Sequence, residues 1–158
     1  NIDFDGTVVK HEYPKVGEDI GAVPVLKRLV EEGHQLILFT MRHEKELDEA
    51  VEWFEKNGIK LFGIQTNPTQ KHWTTSPKSY AQLMIDDSAL GCPLTIDFEM
   101  VGFEELRPIG RPYVDWNKVE QMLEDKGILK EKDEEDEKGQ RKGTPQIGST
   151  TYLGNRSR

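Results

Sequence analysis

The sequence predicts one α/β domain in which a central parallel sheet lies between two layers of helices. Three observations predict it. Short apolar runs alternate with segments of helical period, and glycines close the helical segments. Residues 1–130 also hold nearly all of the large apolar side chains.

The elements follow in order. Asn1 to Phe4 reads as the end of a strand. Ala22, Val25, Leu26, Leu29 and Val30 recur at three- and four-residue spacing ahead of Gly33, which marks an amphipathic helix with a glycine stop. Gln35 to Thr40 is a continuous apolar run, as expected of a strand covered on both faces. Leu47, Ala50, Val51 and Phe54 mark a second helix, closed by Gly58. Ile59–Ile64 and Ala81–Ile85 read as two more strands. Asp115 is placed to cap a last helix with Val119, Met122 and Leu123 facing inward, ended by Gly127. Strands alternating with helices imply right-handed crossovers and a Rossmann-like three-layer sandwich. The section Ser88–Trp116 is longer than such a fold requires. Its Pro93, Pro108 and Pro112, with Arg107 and Arg111 between, suggest an ordered extension near the strand ends.

The 158 residues suit one domain over 1–130, followed by a polar tail over 131–158. That tail has only Ile147, Tyr152 and Leu153 as sizeable apolar residues, too few to offset its ordering entropy, so it is expected to be disordered. Charge divides in the same way. Residues 1–130 carry 15 basic and 23 acidic side chains, 15 − 23 = −8, and the runs 131–138 and 139–158 add −4 and +4. An acidic domain argues against non-specific binding to a nucleic acid backbone, though action on a nucleic acid end needs only local charge. The lone Cys92 cannot form an internal disulfide, which fits a reducing, cytoplasmic setting, and it reads as structural. No apolar run approaches a membrane span, and no signal peptide is visible. The chain opens at Asn1 without a methionine, directly ahead of a loaded motif, so a few residues are expected to precede it.

In open α/β sheets, ligands bind beyond the carboxyl ends of the strands. After the first strand come Asp3-Phe4-Asp5-Gly6-Thr7, and after the second come Thr40, Met41 and Arg42. Lys78 precedes the fourth strand, and Asp86-Asp87 directly follow it. Carboxylates converging on one rim repel unless a cation neutralises them. Hard oxygen ligands without histidine or thiolate favour magnesium over zinc. Singly, Asp5-Gly6 could be a turn and Asp86-Asp87 a helix cap. All four segments in this order are a far more specific signal.

These segments resemble the four motifs of the haloacid dehalogenase (HAD) superfamily, over roughly residues 1–90. The resemblance implies a mechanism. Asp3 would be the nucleophile that forms an aspartyl-phosphate. Asp5 would protonate the leaving oxygen, then deprotonate the hydrolytic water, and its carbonyl would ligate magnesium. Thr40 would bond a phosphoryl oxygen, and Lys78 would pair with the phosphoryl group and Asp3. Asp86 would bind magnesium, with Asp87 a second ligand or one acting through water. Lys71 lies in the same loop as Lys78, whose place eight residues before Asp86 favours it. Arg42 could fork onto a substrate phosphate or simply open a helix as a solvated charge.

His11-Glu12-Tyr13-Pro14 falls where HAD proteins place a flap, and a packed or solvated flap histidine is favoured over a catalytic one. Lys71-His72-Trp73 has the composition of a binding loop, with Trp73 able to stack on a base or sugar. Neither Thr7–Thr40 nor Thr40–Lys78 is long enough to hold a cap domain, so the chain resembles a small capless phosphatase-like hydrolase. An open site calls for a large substrate or for a lid borrowed from a second copy in a homo-oligomer. The expected function is magnesium-dependent phosphomonoester hydrolysis. Its substrate would be a phosphorylated small molecule, a nucleotide or a macromolecular phosphate end. The alternatives are a phosphotransferase on the same site and a non-catalytic HAD-like binding module. A receiver domain is excluded, since it would need an acid on the third strand, where the chain reads Leu61-Phe62-Gly63-Ile64.

Overall fold

The computed structural model describes residues 1–101 and 105–132. From residue 133 onward the expected tail lies outside the described residues. The elements are α1 (Ala22–Glu31), β1 (Leu36–Leu38), α2 (Glu44–Lys56), β2 (Leu61–Ile64), β3 (Leu94–Val101), β4 (Glu105–Val114) and α3 (Trp116–Asp125), with a short 3₁₀ turn at Gln70–His72. The result is a small α/β fold with one parallel and one antiparallel sheet. No helix among the described residues is long and apolar enough to cross a membrane.

Each helix forms where apolar spacing and a glycine stop agree. Asp19 accepts from the Ala22 N–H at 3.1 Å at the start of α1, whose inner face buries Ala22, Val25, Leu26 and Leu29. Beyond it Gly33 takes φ 90°, a left-handed conformation that lets His34 N–H reach back to the Leu29 carbonyl. Helix α2 buries Ala50 and Phe54, and Gly58 ends it in the same manner. Asp115 caps α3 by accepting from Lys118 N–H, and Gly127 lets Ile128 N–H bond the Leu123 carbonyl. Met122 departs from the inward face expected of it. It is 40% exposed at the rim of an apolar groove, while Trp116 joins Val119 and Leu123 on the buried face.

Strands β1 and β2 pair in parallel, Ile37 opposite Gly63 and Leu38 opposite Ile64. Single parallel bridges from Ile2 to Leu38 and from Ile2 to Ile85 set the first and fourth expected strands beside them. These two segments are shorter than expected for local reasons. The chain turns at once after Phe4, whose carbonyl accepts from the Val8 and Val9 N–H groups, and Leu83 and Met84 remain half-exposed ahead of Ile85. The core gathers Ile2, Phe4, Val8, Val9, Leu26, Leu38, Phe54, Ile85 and Val114 around this junction. Phe4, Trp53 and Phe54 meet edge-on or tilted with ring centroids 5.1–6.1 Å apart, which fixes α2 against the Asp3 loop. Arg28 of α1 joins Glu120 and Glu124 of α3 and the Lys130 carbonyl, holding these two helices together.

The extension expected between Ser88 and Trp116 is a long antiparallel hairpin, β3–β4. Pro108 and Pro112 suit a strand whose outer edge is unpaired among the described residues, where a missing N–H costs no ladder bond. Only its base joins the core, through Val114.

Candidate active site

The loop Asp3–Val9 carries the centre of the site. Ile2 donates to Ile37 and Phe39 donates back to Ile2, while Asp3 N–H donates to Ile85. Asp3 therefore leaves the sheet between the ends of its two neighbours. Gly6 takes φ 80°, and any Cβ there would collide with the His11 imidazole. The turn thus requires glycine twice, once for its backbone and once for the ring packed on it.

Asp3, Asp86 and Asp87 each offer a carboxylate oxygen, and these lie within 4.8 Å of one another. Burial pushes Asp3 up to a pKa of about 7, and the negative charges of Asp86 and Asp87 add to the effect. Thr7, fully buried, organises this group: its hydroxyl donates to Asp3 at 3.1 Å and accepts from the Asp87 N–H at 3.1 Å. Asp86 turns one oxygen toward Ser88, accepting from its N–H and its hydroxyl. Trp116 supports the turn from below, its indole N–H donating to the Thr7 carbonyl at 2.6 Å.

Asp5 points elsewhere. Both its oxygens accept from Arg42, from Nε and from a terminal nitrogen, each at 2.7 Å. Arg42 is 2% exposed; its guanidinium also donates to the Pro14 and Lys15 carbonyls and lies against the Phe4 and Tyr13 rings. Arg42 is thus occupied by Asp5 and the flap and is not free to fork onto a phosphate. Thr40 sits one turn away, its hydroxyl accepting from the Arg42 N–H at 3.3 Å. Lys78 is exposed and makes no ion pair among the described residues, so it is not drawn onto Asp3.

Two contributors, Thr7 and Gln65, were given no role from the sequence, and His11 was expected only as a packed or solvated flap residue. Thr7 was legible only as part of a motif. Gln65, at φ 60°, accepts from Thr40 N–H and donates to the Thr40 and Arg42 carbonyls, bracing the loop after β1. His11 places Nε2 3.1 Å from an Asp87 oxygen, yet without hydrogen-bond alignment, and this buried nitrogen has no hydrogen-bond partner among the described residues. The packed flap histidine expected from the sequence is therefore set against the acidic group. Trp73 is 60% exposed and makes a T-shaped contact with Tyr80 at 5.2 Å between ring centroids. Cys92 is half-buried, and burial pushes its thiol upward, which suits a structural role.

A solved structure of a conserved protein from Bacteroides thetaiotaomicron is 36% identical, with a TM-score of 0.60; the match covers 78% of this chain and 87% of that one. The chain belongs to that protein's family. No family model matches the chain, and no curated protein matches it. Membership of the Bacteroides protein's family thus carries the fold.

Proposed function

We propose that the protein is a magnesium-dependent phosphomonoester hydrolase of HAD type that works through an aspartyl-phosphate on Asp3. The observation that carries the reading is the Asp3–Asp86–Asp87 group, aligned by the single Thr7 hydroxyl at the ends of parallel segments. The order β2, β1, Ile2, Ile85 is what a Rossmann-like HAD sheet without a cap would show in short form. The donor set is three carboxylates, which suits a hard divalent cation. Asp3, Asp86, Asp87 and the Asp5 carbonyl would hold magnesium, which when bound supplies positive charge to the phosphoryl oxygens.

Within this reading, an Asp3 oxygen attacks phosphorus as the bond to the leaving oxygen breaks. Asp5 gives that oxygen a proton and then takes one from the attacking water, which frees inorganic phosphate and restores Asp3. To donate, Asp5 must release at least one Arg42 contact, because both its oxygens are engaged. Arg42 therefore acts on Asp5 as a positioning residue. The Thr40 hydroxyl uses its oxygen to accept from Arg42 N–H and keeps its own proton for a phosphoryl oxygen. Lys78 is free to move onto a bound phosphoryl group. The substrate is a phosphorylated small molecule, nucleotide or macromolecular phosphate end, and a single cysteine with no disulfide suits a cytoplasmic setting. The open site is completed by a bulky substrate or a second subunit.

The test is phosphate release from a panel of phosphate esters with magnesium or with EDTA. Magnesium-dependent release that Asp3→Asn abolishes supports the reading. Equal rates with EDTA, or full activity in Asp3→Asn, would overturn it.

A further inference from the structure

His11 carries the flap against the acidic group, and the proposed chemistry gives it no task. Its imidazole lies directly over Gly6, where a Cβ would collide with Nε2. That nitrogen is 3.1 Å from an Asp87 oxygen, the two side chains being 13% and 19% exposed. The contact lacks the alignment of a hydrogen bond, and no other described residue takes up the nitrogen. Its neighbours hold the ring there. The Lys10 N–H donates to the Glu18 carbonyl at 2.9 Å, and Lys10 Nζ pairs with Asp97 of β3 at 2.7 Å. Asp97 in turn accepts from the Tyr113 hydroxyl of β4 at 2.6 Å, so the base of the hairpin braces the flap beside His11. The Gly6 N–H donates to the Val9 carbonyl at 2.7 Å, which closes the turn beneath the ring.

A buried polar nitrogen without a partner is costly, and a carboxylate already at hydrogen-bond distance is the acceptor that relieves it. Only a turn of the carboxylate or of the imidazole is needed to align the two. We propose that His11 is a positioning residue for Asp87: its Nε2–H engages one carboxylate oxygen and leaves the other turned toward Asp3 and Asp86 to hold a divalent cation. This inference rests on the reading of the acidic group as a magnesium site. Two observations select it. Carboxylates that ligate a metal are themselves held by hydrogen bonds. Asp3 accepts from the Thr7 hydroxyl, and Asp86 accepts from the Ser88 N–H and hydroxyl. The Asp87 main chain is fixed by its N–H to Thr7, but its carboxylate has no donor among the described residues except the one that His11 brings. Second, the oxygens within 4.8 Å of one another belong to Asp3, Asp86 and Asp87, a set that leaves His11 outside. The imidazole therefore acts on a ligand rather than as one, and cation affinity is tied to the seating of the flap.

Manganese alone is the probe, since it takes octahedral oxygen ligands as magnesium does and its free ion is read by electron paramagnetic resonance. The full chain and its variants are titrated at one fixed pH. His11→Leu keeps an apolar side chain over Gly6 and removes the nitrogen, whereas His11→Gln keeps an N–H at similar reach. The manganese dissociation constant should rise about tenfold or more in His11→Leu, the usual scale for losing a ligand's partner, and stay within about threefold of the parent in His11→Gln. A His11→Leu value within about twofold of the parent would overturn the proposal, whatever its melting temperature in EDTA, because the ring then only packs. Equal weakening in both variants would overturn it too, since the donor would then not be what matters. If His11→Leu fails to fold, His11→Ala, which only opens space above Gly6, is read by the same criteria. A parent that binds no manganese sinks the magnesium reading and this inference together. A parent that binds it, with His11→Leu unchanged, sinks this inference alone. None of these readouts depends on phosphatase activity.

Discussion

Arg42 grips both carboxylate oxygens of Asp5 at 2.7 Å while itself only 2% exposed. A bidentate guanidinium–carboxylate pair fixes angle as well as distance. The same guanidinium ties down the Pro14 and Lys15 carbonyls, so the flap and the second motif aspartate are held by one group. Whatever moves Asp5 must also loosen the flap.

Arg42→Lys should therefore impair the reaction without weakening phosphate binding. Lysine keeps the charge but cannot hold two oxygens and two carbonyls in one plane. We expect kcat to fall by about tenfold or more, with inhibition by inorganic phosphate within about twofold of the parent. A parallel loss of phosphate affinity would return Arg42 to the substrate. Arg42→Ala leaves a partly buried carboxylate unpaired, and breaking such a pair costs roughly 3–5 kcal/mol, readable as a lower melting temperature.

Asp3 makes the metal-free protein pH-sensitive. Its folded pKa of about 7 lies above the ordinary value of 3.8, chiefly because of burial. The folded state therefore binds a proton that the unfolded state releases between those values. Stability from this group is fully present below about 3.8 and is lost as pH rises through about 7. Asp3→Asn carries no such charge, so the melting temperature of the variant minus that of the parent should grow from pH 5 to pH 8 in EDTA. Magnesium should shrink that difference at pH 8. A difference independent of pH would show that Asp3 is not the group responsible.

Gly6 and His11 form a second coupled pair. Gly6→Ala places a methyl group in a left-handed conformation and against the imidazole. The backbone part costs roughly 1–2 kcal/mol, and the collision adds to it. Gly6→Ala in a His11→Ala background should recover the collision and keep the backbone cost. Additive losses in chemical denaturation would mean that the ring moves aside freely.

The helices are plain in the sequence because apolar period and a glycine stop coincide at each of them, with a capping aspartate added at α3. Asp3, Asp86 and Asp87 were legible as a converging group for a similar reason. Each directly follows a strand end, and the alternation of elements brings those ends together. The hairpin was missed although Asp97-Phe98-Glu99-Met100 alternates with period two. Pro108 and Pro112 read as irregularity, and their tolerance depends on an unpaired edge that only the fold reveals. The Arg42–Asp5 clasp was illegible because 37 residues separate the partners, and nothing local says which acid an arginine will reach. Gln65 and Thr7 act through main-chain groups, for which residue type gives little sign.

The role of Asp5 can be separated from general damage to the site. Asp5→Asn keeps the main-chain carbonyl assigned to magnesium, so metal dependence should survive, while the loss of one Arg42 bond and of its counter-charge should lower the melting temperature. What disappears is proton donation to the leaving oxygen and proton abstraction from water. An aryl phosphate departs as a stable phenolate and scarcely needs the proton, whereas an alkyl phosphate does. The first step should suffer little with the aryl ester and by roughly 10²–10⁴-fold with the alkyl ester, the usual range for acid–base catalysis. Hydrolysis of the aspartyl-phosphate should be slow with either, since the water has lost its base. Stopped-flow with an aryl phosphate should then show a burst of about one equivalent per site before a slow steady state. Equal losses with both esters and no burst would remove Asp5 from the acid–base role and leave it as Arg42's anchor in the flap.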